Sequence, residues 1–393
     1  MRLRKHEQVY TSSLFRTQYF DLLAVFESFL GMHREALEDD DLVNGERNPF
    51  DEIIDERYKL RNAKNMIIDA SKSHPVIFIN EAHHSPQHRA FTLELLQSLY
   101  DNGFRYFAAE ALDMTDIGLN VRGYPLSQKT GLLTNEPMYG ELIRAAQKIG
   151  FTVVAYESMP DCNPWKESPE KCQNLRGEGQ AKNLYDSVFK RDPSAKLLVH
   201  AGFGHIAKKG VGGWIPMAVY FEQLTGISPF SIDQTIMREH SARNYENSIF
   251  KQITGSGRLK NTSVIVSNDE HLWLGGNEGI YDLILFHPRT IYQNKRPSWL
   301  FHSEHRIKWP VATTRCKGKF PCVIEALLYR EDLNSVPIDR VVVSSMEERP
   351  VLALLPGKYF FRTIDKRRNL LSLTKESVDL EYSNPIRKLV WER

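Results

Sequence analysis

From about residue 62 the chain alternates short apolar runs with amphipathic stretches of helical length. HPVIFI at 74–79 precedes HRAFTLELLQSLYDNG, and FRYFAAE at 104–110 precedes EPMYGELIRAAQKIG. TVVAYE at 152–157 precedes GQAKNLYDSVFKRD, and AKLLVH at 195–200 precedes WIPMAVYFEQLTG. Continuous apolar runs suit strands buried on both faces, and the stretches between them are long enough to cross back over a sheet. The pattern predicts an α/β fold, a mainly parallel sheet flanked by helices, over residues 62–292, with SPFSIDQT, SVIVS and DLILFH completing the layer.

On either side the pattern changes. Residues 1–61 read as a helical lead, with an amphipathic helix at about 16–38 and then the acidic, loop-like EDDDLVNGERNP. Residues 293–393 read as a β-rich accessory domain, because CVIEALLY, DRVVVSS, PVLALLP and KYFFRTID are strand-like and separated by turn residues. LLPGKYFFRTID, a strand on either side of a Pro-Gly turn, fits a β-sandwich-like module of immunoglobulin type.

Charge narrows the partners. The 51 basic and 49 acidic residues are interspersed, so no nucleic-acid footprint is visible, and KRR at 366–368 reads as a solvated loop. The most apolar stretch, FDLLAVFESFLGM, carries Asp21 and Glu27 and is no transmembrane segment. Behind the basic start MRLRKH there is no uninterrupted apolar region or small-residue cleavage pattern, so no signal peptide is read and the chain as numbered reads as cytoplasmic; a truncated start would leave export open. Cys162 with Cys172 and Cys316 with Cys322 are spaced either for two short disulfides or as four free thiols, and neither spacing matches a zinc knuckle. Nothing in the pattern fixes an oligomeric state.

The ends of the predicted strands carry the candidate chemistry. Glu81, His83 and His84 follow the first, Glu110 the second, Glu157 the third, and His200 and His205 the fourth, while Asp233 sits similarly in SIDQT. One glutamate after a strand is commonly only a helix cap. Four successive strands ending this way predict a cleft of carboxylates and imidazoles at the rim where open parallel sheets bind ligands. The chain has no GxSxG elbow, no cysteine near a credible base, no GxGxxG and no GxxxxGK[ST]. Two mechanisms stay open. Either an imidazole takes a proton from water attacking a carbonyl, or histidines and glutamates bind a divalent ion that activates the water.

NEAHH at 80–84, NGFRYFAAEAL at 102–112 and HAGFGHIAK at 200–208 together resemble the superfamily that joins erythromycin esterases, ChaN-like haem-binding lipoproteins and Tiki (TraB)-type proteins. The resemblance covers about 62–235. It implies that Glu81 and His84 are the acid and the general-base histidine, that Glu110 is the second-strand glutamate, and that His200 and His205 are the later histidine pair. RGEGQAKN at 176–183 is similar to the esterases' Arg-Asp-x-x-Met-Ala-x-Asn helix start through Arg176, Ala181 and Asn183, with Gly177 in place of the acid. Asn80 replaces the usual glycine before Glu81, and His83 is additional.

The expectation is a hydrolase of an ester, lactone, amide or peptide bond in a small-molecule or peptide substrate. Glu81, His84, Glu110 and His205 are its expected catalytic residues and would also be the ligands of any zinc, manganese or cobalt ion. His83, Glu157, Arg176, His200 and Asp233 would support them. The alternatives are a ChaN-like haem or metal binder without turnover, and an idle cleft beside a working β-module.

Overall fold

The structure, a computed structural model, describes residues 15–45, 58–163, 166–301 and 306–379. The basic start MRLRKH lies outside the described residues. Helices α1 (Arg16–Phe29) and α2 (His33–Asn44) come first, then strand β1 (Tyr58–Asn62) and helix α3 (Ala63–Ala70). The alternating region follows as β2 (Val76–Glu81), α4 (Pro86–Asp101), β3 (Tyr106–Ala109), α5 (Pro137–Ile149) and β4 (Thr152–Ala155). It continues through α6 (Pro169–Leu184), β5 (Leu197–Gly202), α7 (Met217–Thr225) and β6 (Phe230–Asp233). After α8 (Ser248–Gly255), β7 (Ser263–Ser267) and β8 (Leu283–Ile284) complete this part.

Six strands form one sheet in the order β4-β3-β5-β2-β6-β8, and each pairing is parallel. The fold is therefore α/β, as the alternation predicts. Strand β2 is buried along its whole length, with apolar side chains on both faces as far as Ile79 and the polar Asn80 and Glu81 at its carboxyl end. Ile77 and Ile79 point into one core layer with Leu95, Leu96, Leu142 and Ile143 of α4 and α5. Val76 and Phe78 point into the other with Leu184 of α6 and Phe221 of α7. Of the expected strands, SVIVS (β7) stands apart from this sheet and pairs antiparallel with β1, whose polar sequence YKLRN gave no strand signal.

The C-terminal part is antiparallel. It contains β9 (Ile307–Pro310), β10 (Cys322–Leu328), β11 (Asp339–Val343), β12 (Val351–Leu354), β13 (Gly357–Asp365) and β14 (Leu370–Val378). A four-stranded sheet β11-β10-β13-β14 and the pair β9-β12 share a cluster that includes Trp309, Ile324, Val341, Leu352 and Phe361. Lys366, Arg367 and Arg368 lie exposed in the β13–β14 turn. Arg144 of α5 ties the module to the α/β part through Glu331 (2.9 and 2.6 Å) and the Val336 carbonyl (2.5 Å). The structure joins Cys162 to Cys172 and Cys316 to Cys322. No helix among the described residues is long and apolar enough to cross a membrane.

The lead departs from expectation. Its helix breaks at residues 30–32, and the second helix runs through HREALEDDDLVN, so the acidic stretch expected as a loop is helical with Asp39, Asp40 and Asp41 buried. Buried carboxylates need partners. Asp40 accepts from Arg238 (3.2 Å) and Asn44 (2.8 Å). Asp41 accepts from His240 Nδ1 (2.5 Å) and from the Ser241 amide and hydroxyl (2.6 Å each). The ring edge of His33 against Trp299 and Arg34 over Tyr292 complete the docking. Replacing Asp41 with alanine strands the Ser241 amide and His240, a loss of about 1–3 kcal/mol. Hydrogen exchange should then rise across α1 and α2 and stay unchanged in β2 and β5.

Candidate active site

Glu81, the last residue of β2, is 1% exposed and accepts from four directions. Arg89, in the first turns of α4, binds it in a fork, Nε to Oε2 at 2.6 Å and Nη2 to Oε1 at 2.8 Å. His200 Nε2 from β5 lies 2.8 Å from Oε2, and His83 Nδ1 lies 3.0 Å from Oε1. Burial opposes the charge, but Arg89 and the two imidazoles hold this carboxyl well below the usual carboxylate range. An ionised carboxylate only accepts, so His83 donates through Nδ1–H, and in the neutral imidazole the lone pair then falls on Nε2. The His83 side chain is 29% exposed.

Gly202, at the end of β5, makes room for that ring. A Cβ there would sit 2.3 Å from His83 Cε1, 2.6 Å from His83 Nε2 and 3.2 Å from Glu110 Oε2. The imidazole and the second carboxylate therefore crowd one face of the same glycine. Glu110 accepts from the Gly202 amide (2.5 Å) and from Arg176 Nη2 (2.5 Å). Burial would raise its pKa, but His205, His83, Arg176 and the Gly202 amide outweigh burial and hold it down to about 2.

Helix α6 supplies the third side. Arg176, Gln180 and Asn183 recur at helical spacing and all reach the end of β4. Arg176 Nε and Gln180 bind Glu157 Oε1 (2.9 and 3.0 Å), Arg176 Nη2 binds Glu157 Oε2 (2.6 Å), and Asn183 donates to the Glu157 carbonyl (2.9 Å). Arg176 Nη1 lies 3.0 Å from His205 Nε2. A guanidinium only donates, so His205 is the Nδ1–H tautomer, and burial lowers its pKa against the pull of Glu110. These contacts occupy four of the five Arg176 N–H groups, leaving one on Nη1.

The expected residues thus fall into two places. Glu81, His83, Glu110, Glu157, Arg176, His200 and His205 meet at the carboxyl ends of β2 to β5. His84 does not join them. It is buried towards α2, with Nδ1 3.3 Å from Asp40 and Nε2 without a hydrogen-bond partner. With His33, His88, His287 and Glu239 it lines a cavity of about 20 Å³, room for one water. Burial pushes His84 down to about 4 and His287 to about 3. Asp233 is also elsewhere, buried at the end of β6 and bound by Asn80 (2.6 Å), Thr235 and Ile236.

The metal set expected from sequence does not converge. Among the described residues, the group of three whose ligand atoms come within 4.8 Å of one another is Asp40, Asp41 and His240, beneath the lead, where Arg238 already supplies positive charge. In the cleft the cations are guanidiniums: Arg89 takes both Glu81 oxygens, and Arg176 stands among Glu110, Glu157 and His205. A divalent ion does not fit where they lie. Arg89, Glu136 and Gln180 are absent from the sequence expectation. Arg89 was detectable, because it shares the apolar stripe of α4 with Thr92 and Leu96, where a charge needs a buried partner.

No protein-family model matches the chain, and no curated protein matches it. Among solved structures it is similar to the type III effector HopBA1, at 11% identity and a TM-score of 0.36, over 60% of this chain and 99% of that one. It is also similar to the C-terminal region of Pasteurella multocida toxin, described as having a thiol-protease like catalytic triad, at 12% identity and a TM-score of 0.30. That match covers 97% of this chain and 54% of the other. Likenesses this weak leave the chemistry to the residues themselves.

Two measurements check the electrostatics. Arg89→Met leaves Glu81 charged and buried without its main partner, and urea unfolding should show a loss of about 3–5 kcal/mol. His84 is depressed in the folded state, so the unfolded chain binds its proton first as pH falls, and stability present above about 6.5 is lost towards 4. Removing the group removes that loss. The cost of His84→Gln should therefore shrink by about 2 kcal/mol between pH 7 and pH 5.

Proposed function

We propose that this chain is a hydrolase of carbonyl bonds, ester or lactone first, with His83 as the general base. One observation carries the reading: a partly exposed imidazole whose Nδ1 is fixed on a buried, ionised glutamate, leaving Nε2 free beside Glu110 and Gly202. Carboxylate-oriented imidazoles do this work because the carboxylate fixes the tautomer and steadies the imidazolium that forms.

A water oxygen attacks the carbonyl carbon while its proton passes to His83 Nε2. The carbonyl π pair moves to oxygen, and the remaining Nη1–H of Arg176 is the donor for that oxyanion. When the tetrahedral adduct collapses, the bond to the leaving oxygen breaks and His83 returns the proton to it, giving an acid and an alcohol. Glu110 and Glu157 hold Arg176 in place, and Arg89 with His200 holds Glu81. In this mechanism Glu81 takes the part implied by the resemblance to the esterase, ChaN-like and Tiki superfamily, and His83, in place of His84, is the base.

Turnover of p-nitrophenyl acetate tests it. His83→Ala should lose at least about 100-fold in kcat while remaining folded by circular dichroism, and His84→Gln should stay within a few-fold of the parent. Full activity in His83→Ala sinks the assignment.

A further inference from the structure

The two imidazoles of the cleft each carry an aromatic neighbour. Phe203 meets the His83 ring edge-on at 5.3 Å between centroids, and Trp214 meets the His205 ring likewise at 6.0 Å. Both placements are built. Phe203 has a φ of 40°, a conformation that side-chain-bearing residues seldom adopt, and its carbonyl is held by the buried Asn80 amide at 2.9 Å. Trp214 lies on Gly204, where a Cβ would come within 2.8 Å of the indole. Helix α6 is tied to the Trp214 loop, since Asn174 donates to the Gly213 carbonyl (2.9 Å) and accepts from the Ile215 amide (2.8 Å).

Further apolar groups stand exposed on the loops that follow β4 and β5 and on helix α6. Phe203 is 38% exposed, Val211 68%, Met159 89%, and Leu175 of α6, next to Arg176, 37%. Single exposed apolar side chains are ordinary; several on the segments that frame one polar cleft are a binding feature.

The charges of the cleft point the same way. Two guanidiniums face four carboxyl groups, Arg89 with Glu81 and Glu136 and Arg176 with Glu110 and Glu157. Asp21 of α1 adds a further carboxyl near His83. No named cation is left over to neutralise an anionic ligand, which would meet net repulsion in a partly desolvated site.

We infer that the cleft takes neutral substrates bearing an aromatic or branched apolar group next to the reacting carbonyl, and rejects anionic ones. The inference rests on the hydrolase reading but is tested apart from turnover. Titration calorimetry would compare three ligands on the full chain: 4-phenyl-2-butanone, 2-butanone, which lacks the phenyl ring, and 3-phenylpropanoate, which carries a carboxylate in place of the acetyl group. The phenyl ketone should bind at least about tenfold more tightly than either. Trp214→Ala and Phe203→Leu, each checked for an unchanged melting temperature, should both reduce the advantage over 2-butanone. Equal or tighter binding of 3-phenylpropanoate, or no binding of the phenyl ketone, overturns the inference. Binding in the expected order with no turnover of phenyl acetate would leave it standing and remove the hydrolase reading.

Discussion

The guanidinium of Arg89 and the carboxylate of Glu81 meet where neither reaches solvent, at 0% and 1% exposure. A lone ion there would cost several kcal/mol, so each charge exists only because the other does. The pair does more than cancel charge. Arg89 also binds the His83 carbonyl (2.8 Å) and Glu136 (3.0 Å), whose carboxylate caps α5 through the Met138 and Tyr139 amides. One planar cation thus fixes the exit of β2, the backbone of the cleft imidazole and the start of a core helix. His83 has a defined ring orientation because Glu81 is already anchored on its far side.

Adjacent residues of the β2 exit live in opposite surroundings. His83 faces Glu110 and the cleft, while His84 faces Asp40 and a cavity with three other imidazoles. The same side chain is therefore a candidate proton carrier at one position and a buried, neutral packing group at the next. Burial decides this difference; the chemistry of histidine does not.

A difference of this kind leaves no mark in the pattern of apolar and polar positions. β2 to β6 and most of their helices were legible, since strands buried on both faces are mainly apolar, and so was the gathering of Glu81, Glu110, Glu157, His200 and His205 at one rim; α6, expected over 179–192, instead runs from Pro169 to Leu184. The choice between His83 and His84 was not, because residues 82–85 leave the strand as a turn, where period-two alternation no longer says which way a side chain points. Asp39, Asp40 and Asp41 read as part of a loop because the partners that bury the last two, Arg238, His240 and Ser241, are distant in sequence. Strand β1 was invisible for the same reason: YKLRN is polar, and only its pairing with β7 makes it a strand.

The docking of α2 has a consequence for how the chain is made. Its contacts to Arg238, His240 and Ser241 span 198 to 200 residues. At ribosomal rates of about 5–20 residues per second, the lead waits on the order of 10–40 s after its own synthesis for those partners. Through that interval its three neighbouring aspartates lack those partners and repel one another. Helices α1 and α2 thus leave the ribosome well before the residues that hold them in place.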